Sequence, residues 1–497
     1  MTAPFTRRQF LRRGRDAALA AGLVSQLEWL TACGEQTAAA DWDELTRRVK
    51  GSVIRPGQPR YDRISLPFNH RYAGIHPAGV VLCADERDVR ESVLWAREQD
   101  VSLAVRSGGH NYAGYSTTPG LLIDLRKLRK VDVDDRDHIL SVEPGATNVD
   151  VYAGLQPHGV AISAGRCPTV ALGGLVLGGG FGFSSRKLGL TSDSLLESRL
   201  VDADGELLTL SEEENADLFW AIRGAGGGNY GVSTHHRFRA QPVDDVTLYD
   251  ISWPWDKGPE VLDALQGVIA AAPDEFSCRM GGGASGPPGG SPDLSFSALG
   301  QYFGPKQELE DLLSPALSAA APSERLIAGR TFWQAKNYFF HNVPKGRFAV
   351  KSNYADEPLS REAIDVLFRS VEGWPGSSND DGAGFAIFAW GGAMNRPAPD
   401  ATAFVHRDSL LLIAYDTAWA GSDSGATVDA NLEWLAQLYE DLRPHVSASA
   451  YQNFIDPELE DWESAYYGAN LERLVEVKAK RDPDDVFGFA QSIPTRL

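Results

Sequence analysis

The sequence predicts an α+β fold in two units, and three observations carry that prediction. Short strands and helices alternate up to about residue 239. From about residue 246 the texture changes to longer strand-like runs at 248–253, 294–302, 384–390 and 410–416, separated in places by helices such as 428–442. That pattern suits an antiparallel sheet with helices on one face. The last fifty residues return to a helix, roughly 470–480, stopped by Pro483, so the C-terminus is expected to rejoin the first unit.

In chain order, residues 1–33 read first as an address. Thr6-Arg7-Arg8-Gln9-Phe10-Leu11 looks like a twin-arginine export signal, followed by further arginines and a weakly apolar stretch at 17–30. Leu30-Thr31-Ala32-Cys33 resembles a lipoprotein processing box, which makes Cys33 a candidate for a lipid anchor. The competing reading is a basic tail leading into an amphipathic helix, and Asp16 and Glu28 weaken the apolar region. Residues 34–44 are a short polar, Ala-rich linker. Asp85-Glu86-Arg87-Asp88 then opens a helix with Val89, Val93 and Ala96 on one face. Val101, Leu103 and Val105 alternate as a strand does, and 121–125, 139–143 and 160–163 read as further strands around a helical stretch with Val149, Tyr152 and Leu155.

A chain of 497 residues is too long for one ordinary core. A formal net charge of −20 argues against nucleic acid or anionic lipid as the main partner, because phosphates need a positive footprint. Beyond the leader, no segment has the ~20 apolar residues of a membrane span. Four cysteines are too few for a disulfide scaffold and share no close metal spacing; Cys83 and Cys278 read as buried thiols.

Glycine is concentrated in three loops. Arg106-Ser107-Gly108-Gly109-His110-Asn111-Tyr112-Ala113-Gly114 directly follows a strand, where backbone N–H groups can converge on an anion. A glycine turn around a satisfied histidine is the alternative. The second loop runs Ala164-Gly165-Arg166-Cys167-Pro168-Thr169-Val170-Ala171-Leu172-Gly173-Gly174 into Gly178-Gly179-Gly180. Such glycine density implies close approach of another group. In the third loop Gly226, Gly228 and Gly231 satisfy G-x-G-x-x-G, but they follow a helical stretch and lead into a strand-like run, the reverse of a Rossmann site. Walker lysine, H-E-x-x-H and G-x-S-x-G motifs are absent, which removes the commonest NTPase and hydrolase readings.

Taken together, Arg-Ser-Gly-Gly-His, Cys-Pro-Thr-Val with its glycines, and Phe219-Trp220-Ala221-Ile222-Arg223-Gly224 with the glycines after it resemble the berberine bridge enzyme-like flavoproteins. These belong to the vanillyl alcohol oxidase and p-cresol methylhydroxylase superfamily. Tyr466-Tyr467-Gly468-Ala469-Asn470-Leu471-Glu472-Arg473-Leu474, Lys478 and Gln491-Ser492-Ile493 resemble the family's closing signature, and Gly391-Gly392-Ala393-Met394 with His406-Arg407 its substrate domain. The resemblance covers about residues 45–497. It implies a two-part FAD-binding domain at 45–245 and 446–497, with an inserted antiparallel-sheet substrate domain at 246–445. It further implies FAD bound through two covalent links, His110 to the flavin 8α-methyl carbon and Cys167 to ring carbon C6. Imidazole nitrogen and thiolate are nucleophiles suited to that attack. Arg106, Ser107, Gly108, Gly109, Asn111 and Gly114 would line the cofactor with Thr169, Val170, Gly173, Gly174 and Gly178. Gly228, Tyr230, Gly231 and Asn470 would complete it. In relatives the residue three after the cysteine gates dioxygen, and valine, here Val170, permits it.

The chain departs from the family where a base should take the substrate's hydroxyl proton as hydride leaves for the flavin. The usual tyrosine of Tyr-x-Asn-Tyr is Phe454, and the usual strand glutamate aligns with Ile413; both are inert. Strand alternation then offers Tyr415 as base or anchor and Gln452 as a polar contact, with Tyr415 as a core aromatic the alternative. The expectation is an exported FAD oxidase acting on a C–OH carbon of a small sugar-like or secondary-metabolite substrate, with dioxygen as acceptor. Two other readings stay open: a dehydrogenase using a quinone or protein acceptor, and a flavin-retaining binding protein that has lost turnover.

Overall fold

The computed structural model describes residues 40–340 and 345–497; the expected leader and Cys33 lie outside the described residues. The first sheet has four strands, β1 (Ser52–Ile54), β2 (Gly79–Leu82), β3 (Leu103–Arg106) and β4 (Leu121–Asp124), in the order β1-β2-β4-β3. β2, β4 and β3 run parallel, and helix Glu86–Glu98 provides the crossover between β2 and β3. Asp85 caps that helix by accepting from Asp88 N–H. The buried Asp88 carboxylate accepts from the backbone N–H groups of Lys50, Gly51 and Ala84 at 2.7, 2.8 and 2.8 Å, tying β1 to the helix.

The second sheet contains β5 (Val131–Asp134), β6 (Ile139–Val142), β8 (Leu195–Val201), β9 (Leu207–Leu210) and β10 (Val232–Arg239), ordered β5-β6-β10-β8-β9 and antiparallel. A short pair, β7 (Val160–Ala161) with β11 (Gln241–Pro242), lies outside it. The helices Trp462–Tyr467 and Leu471–Arg481 return to this part of the molecule, where Tyr466, Leu474 and Val475 share a core with Leu140, Leu200 and Phe238.

Residues 246–419 build a seven-stranded antiparallel sheet from β12 (Val246–Trp253), β13 (Arg279–Ser285), β14 (Asp293–Tyr302), β15 (Glu324–Arg330), β16 (Arg347–Ala355), β17 (Ala383–Ala389) and β18 (Leu411–Trp419). Helices Gly258–Ala271, Lys306–Ala319, Arg361–Glu372 and Gly425–Leu442 cover one face. Phe385, Ile387, Ile413 and Tyr415 point into that helical layer. The alternate residues therefore point the other way, toward the glycine loops. β13 is a strand that the sequence pattern does not announce, because Gly281-Gly282-Gly283 lowers strand propensity at its centre. Gly282 is required there: a Cβ would lie 2.7 Å from the Phe385 ring.

Candidate functional site

A cavity of ≈ 2900 Å³ separates the glycine loops from the open face of the seven-stranded sheet. It exceeds the ~300–1000 Å³ of a drug-sized ligand pocket, so it has room for a dinucleotide and a second molecule. The loop after β3 contributes Ser107, Gly108, Gly109, His110, Asn111 and Gly114 to its wall; the second loop contributes Arg166, Cys167, Val170, Gly173 and Gly174. Gly228 and Gly231 of the third loop also face it.

Two cavity-lining glycines, Gly174 and Gly227, report what the cavity is for. Neither Gly174 nor Gly227 has positive φ, and a Cβ at Gly174 would meet nothing within 4 Å, while one at Gly227 would meet only Leu177 at 3.9 Å. Turn geometry and protein packing therefore do not explain them. A group approaching the backbone from the cavity does.

His110 and Cys167 converge on one hydroxyl. His110 Nε2 lies 3.0 Å from Thr169 Oγ1, and Cys167 Sγ lies 3.7 Å from the same oxygen. The imidazole stacks on Phe68 at 3.7 Å. Burial, assisted by the positive charge of Lys345, lowers its pKa to about 4, so at neutral pH the ring is uncharged and keeps a nitrogen lone pair for bonding. Thr169 thus joins the imidazole and the thiol from the exposed side of the loop.

Several expected site residues are elsewhere. Arg106 is 2% exposed, and its guanidinium donates to the carbonyl oxygens of Ile64, Ser65, Leu66 and Ser116; it knots the loop's base instead of facing the cavity. Gly178 is pressed against Asn453, with 2.2 Å left between a Cβ and Asn453 Oδ1. Tyr230 donates to Leu474 O at 2.9 Å, and Asn470 donates to the carbonyls of Pro399 and Thr402; both hold the chain behind the cavity wall. Gln452 does face the cavity, but its amide nitrogen is held by Gly224 O at 2.6 Å. Phe454 also faces it and stacks on Tyr112 at 5.6 Å.

Tyr415 is the largest correction. It is fully buried in the helical layer with Ile413 and donates to Asn353 Oδ1 at 3.4 Å. The strand's phase is opposite to the one expected from Ile413, and the residues that reach the cavity are Ala414, Asp416 and Ala418. Asp416 is the carboxylate that alternation alone did not select. Its signal in the sequence was a single acid closing the apolar run 410–415.

Asp416 stands on a floor of small residues. Register places Gly281 opposite Ala386 and Ala386 opposite Ala414, so a smooth row crosses three strands. Asp416, paired with Gly384, rises on one side of that row; Arg279, paired with Phe388, rises on the other. Arg166 reaches over the Phe388 ring, 5.9 Å from its centroid. Burial raises the Asp416 pKa to about 6, against the opposing pull of Arg279 and Arg166, with Asp381 adding a small upward push. Tyr112 is within electrostatic range of Cys167, Arg166 and Asp416, and burial raises its phenol to about 12, so it remains a hydrogen-bond donor at neutral pH.

Comparison with known proteins agrees with this architecture. The family described as FAD binding domain matches residues 77–211, and the family described as berberine and berberine like matches residues 450–494. An uncharacterized FAD-linked oxidoreductase of Bacillus subtilis is 34% identical over 467 residues, covering 90% of this chain and 97% of that one. The structure of Physcomitrella patens BBE-like 1 superimposes with a TM-score of 0.84 at 30% identity, over 92% of this chain and 100% of that chain. Xylooligosaccharide oxidase from Myceliophthora thermophila, solved with xylobiose, gives a TM-score of 0.80 at 26% identity over 91% and 98%. The chain belongs to the berberine bridge enzyme-like FAD-linked oxidoreductases of the vanillyl alcohol oxidase and p-cresol methylhydroxylase superfamily.

Proposed function

We propose that the protein is an oxidase that removes the elements of H₂ from a C–OH group of a small sugar-like or secondary-metabolite substrate, with Asp416 as the base. The carrying observation is that Asp416, a cavity-facing carboxylate with pKa about 6, rises from the small-residue floor opposite the glycine loops. Asp416 takes the hydroxyl proton as the neighbouring C–H leaves as hydride, so the alcohol carbon becomes a carbonyl. Tyr112, kept protonated by burial, donates a hydrogen bond to the substrate oxygen. Bound FAD would supply the two-electron acceptor and pass the pair to dioxygen as hydrogen peroxide. Val170 in the wall beside Cys167 supports dioxygen over another acceptor, since the family admits oxygen past a valine at that place. Gln452, with its Oε1 buried and unpartnered, is a secondary polar contact.

The double covalent attachment rests on His110 and Cys167. The flavin 8α-methyl and C6 positions lie near one another on the same ring, and two nucleophiles held by the Thr169 hydroxyl suit that spacing. Flavin fluorescence in a denaturing gel tests it. Wild type, His110→Ala and Cys167→Ala should each retain the fluorescent band, and only the double variant should lose it; free flavin released from wild type refutes the attachment. Peroxide yield in air tests the acceptor: one equivalent per substrate oxidised supports dioxygen, and none refutes it. The twin-arginine-like residues Arg7 and Arg8 support export of the folded, loaded protein, with lipid anchoring at Cys33.

A further inference from the structure

The charged groups around the small-residue floor do not balance. Two guanidinium groups, Arg166 and Arg279, face Asp416, the carboxylate that rises from the floor; Asp250 also acts on Arg279, but its carboxylate accepts from the Tyr338 hydroxyl at 2.7 Å. Asp381 is also on the cavity wall but is exposed, where water and salt screen it. The phenol of Tyr112 is neutral. The two arginines are close enough to oppose each other: burial first, and then the Arg166 charge, lowers Arg279 to about 10, which still leaves it a cation at neutral pH.

Their hydrogen-bonding capacity is unmet. Arg279 Nε is buried and has no partner. The floor beside it, made of Gly281, Gly384, Ala386 and Ala414, and the Phe388 ring, over which Arg166 lies, carry no side-chain hydrogen-bond acceptor. The buried cations Lys336 and Arg106 are treated differently. Lys336 donates to Gly165 O at 2.9 Å with its ammonium 3.9 Å from the Tyr152 ring centroid, and Arg106 meets four carbonyl oxygens. Both side chains are only partly buried and open on the cavity, so a group of opposite charge entering it can pair with them and with the orphaned Arg279 Nε.

We propose that the substrate carries a carboxylate that Arg166 and Arg279 bind from one side of the floor, presenting its C–OH group to Asp416 on the other. The substrate class is then a hydroxylated carboxylic acid, such as a sugar acid or an aryl alcohol bearing a carboxyl group. This rests on the C–OH oxidation proposed above and narrows it. Guanidinium suits the task because its planar fork pairs with both carboxylate oxygens at once. The chemistry keeps its balance: hydride and proton leave the C–OH group as before, and the carboxylate is neither formed nor consumed.

The test separates binding from turnover. Holoenzyme is titrated without air against matched acids and neutral partners: benzoate and benzamide, D-glucuronate and D-glucose, 4-(hydroxymethyl)benzoate and its amide. Perturbation of the flavin absorbance reports binding, and bleaching reports reduction. At least one acid should bind ten-fold or more tightly than its neutral partner. Arg279→Gln and Arg166→Gln should each weaken that acid by about 10- to 100-fold, the loss of a charged hydrogen bond, with little change for the neutral molecule. Arg279→Lys should restore part of the preference. Equal binding of acids and neutral partners by wild type overturns the proposal without any variant. So does an acid preference that both glutamine variants keep, or variants that alter only the flavin spectrum, which would assign the arginines to the cofactor. Acid-selective binding with no bleaching by any hydroxy acid upholds the anion site and sinks the C–OH reading instead.

Discussion

Asp416→Asn should slow flavin reduction by an alcohol substrate by on the order of 10²–10⁴-fold, the usual contribution of a positioned general base. Substrate binding should change far less, because asparagine keeps the shape and a hydrogen-bonding oxygen. The pH profile gives an independent check. A base must be deprotonated to act, so with a pKa of about 6 the reduction rate should fall as pH drops through that value and level off above it. Burial sets the raised value, and Arg279 and Arg166 hold it from rising further, whereas Asp381 pushes up and Tyr112 is uncharged in this range. Removing Arg279 should therefore move the acidic limb to higher pH. Rapid-mixing measurements between pH 5 and 9 would show it. A wild-type limb that does not flatten in Asp416→Asn assigns the proton to another group. Tyr415→Phe serves as the contrast: its hydroxyl faces Asn353 in the helical layer, and flavin reduction should keep its wild-type rate.

Lys478→Met should be the most damaging single change away from the cavity. Lys478 is fully buried, and its ammonium donates to Asp482 Oδ2 and Asn229 O at 2.7 Å and to Phe487 O at 3.2 Å. Methionine fills the space but leaves the Asp482 carboxylate buried without its cation, a loss of about 3–5 kcal/mol. The third glycine loop loses one of its anchors at the same time, since Asn229 belongs to it. Thermal unfolding should shift several degrees lower, and flavin content after purification should drop with it. Adding Asp482→Asn should recover part of the stability, because the stranded charge is the main cost. A double variant no more stable than Lys478→Met would place the cost in the lost carbonyl contacts instead.

Much of the fold was legible because local rules and tertiary context agree. Asp85 reads as a cap and is one; the glycines at 226, 228 and 231 read as wrong for a Rossmann turn, and strand β10 follows them. The proposed base was illegible for a physical reason. A strand buried on both faces has no polar side, so β18 reads as one apolar run and its phase is undetermined by composition. Aligning Ile413 with the cavity face shifted the phase by one residue, which put Tyr415 toward the cavity although it lies in the helical layer, and left Asp416, which lines the cavity, out of consideration. Arg279 was hidden differently, on a strand masked by three glycines. Motif membership also says nothing of side-chain direction, which is why Arg106, Tyr230 and Asn470 fall in the signature yet point away from the cavity.

The clasp on the third glycine loop carries a consequence for biogenesis. Tyr467 OH to Ala225 O, Lys478 to Asn229 O and Ile493 N–H to Asn229 Oδ1 join residues 242, 249 and 264 positions apart. At ~5–20 residues per second, a ribosome needs on the order of 10–50 s to cross such a gap. During that interval the loop has been synthesised and its retaining helix has not. The clasped loop is therefore complete only after residues 467–493 have been made, and a chain truncated before residue 478 should display all three glycine motifs yet retain less flavin than the full chain.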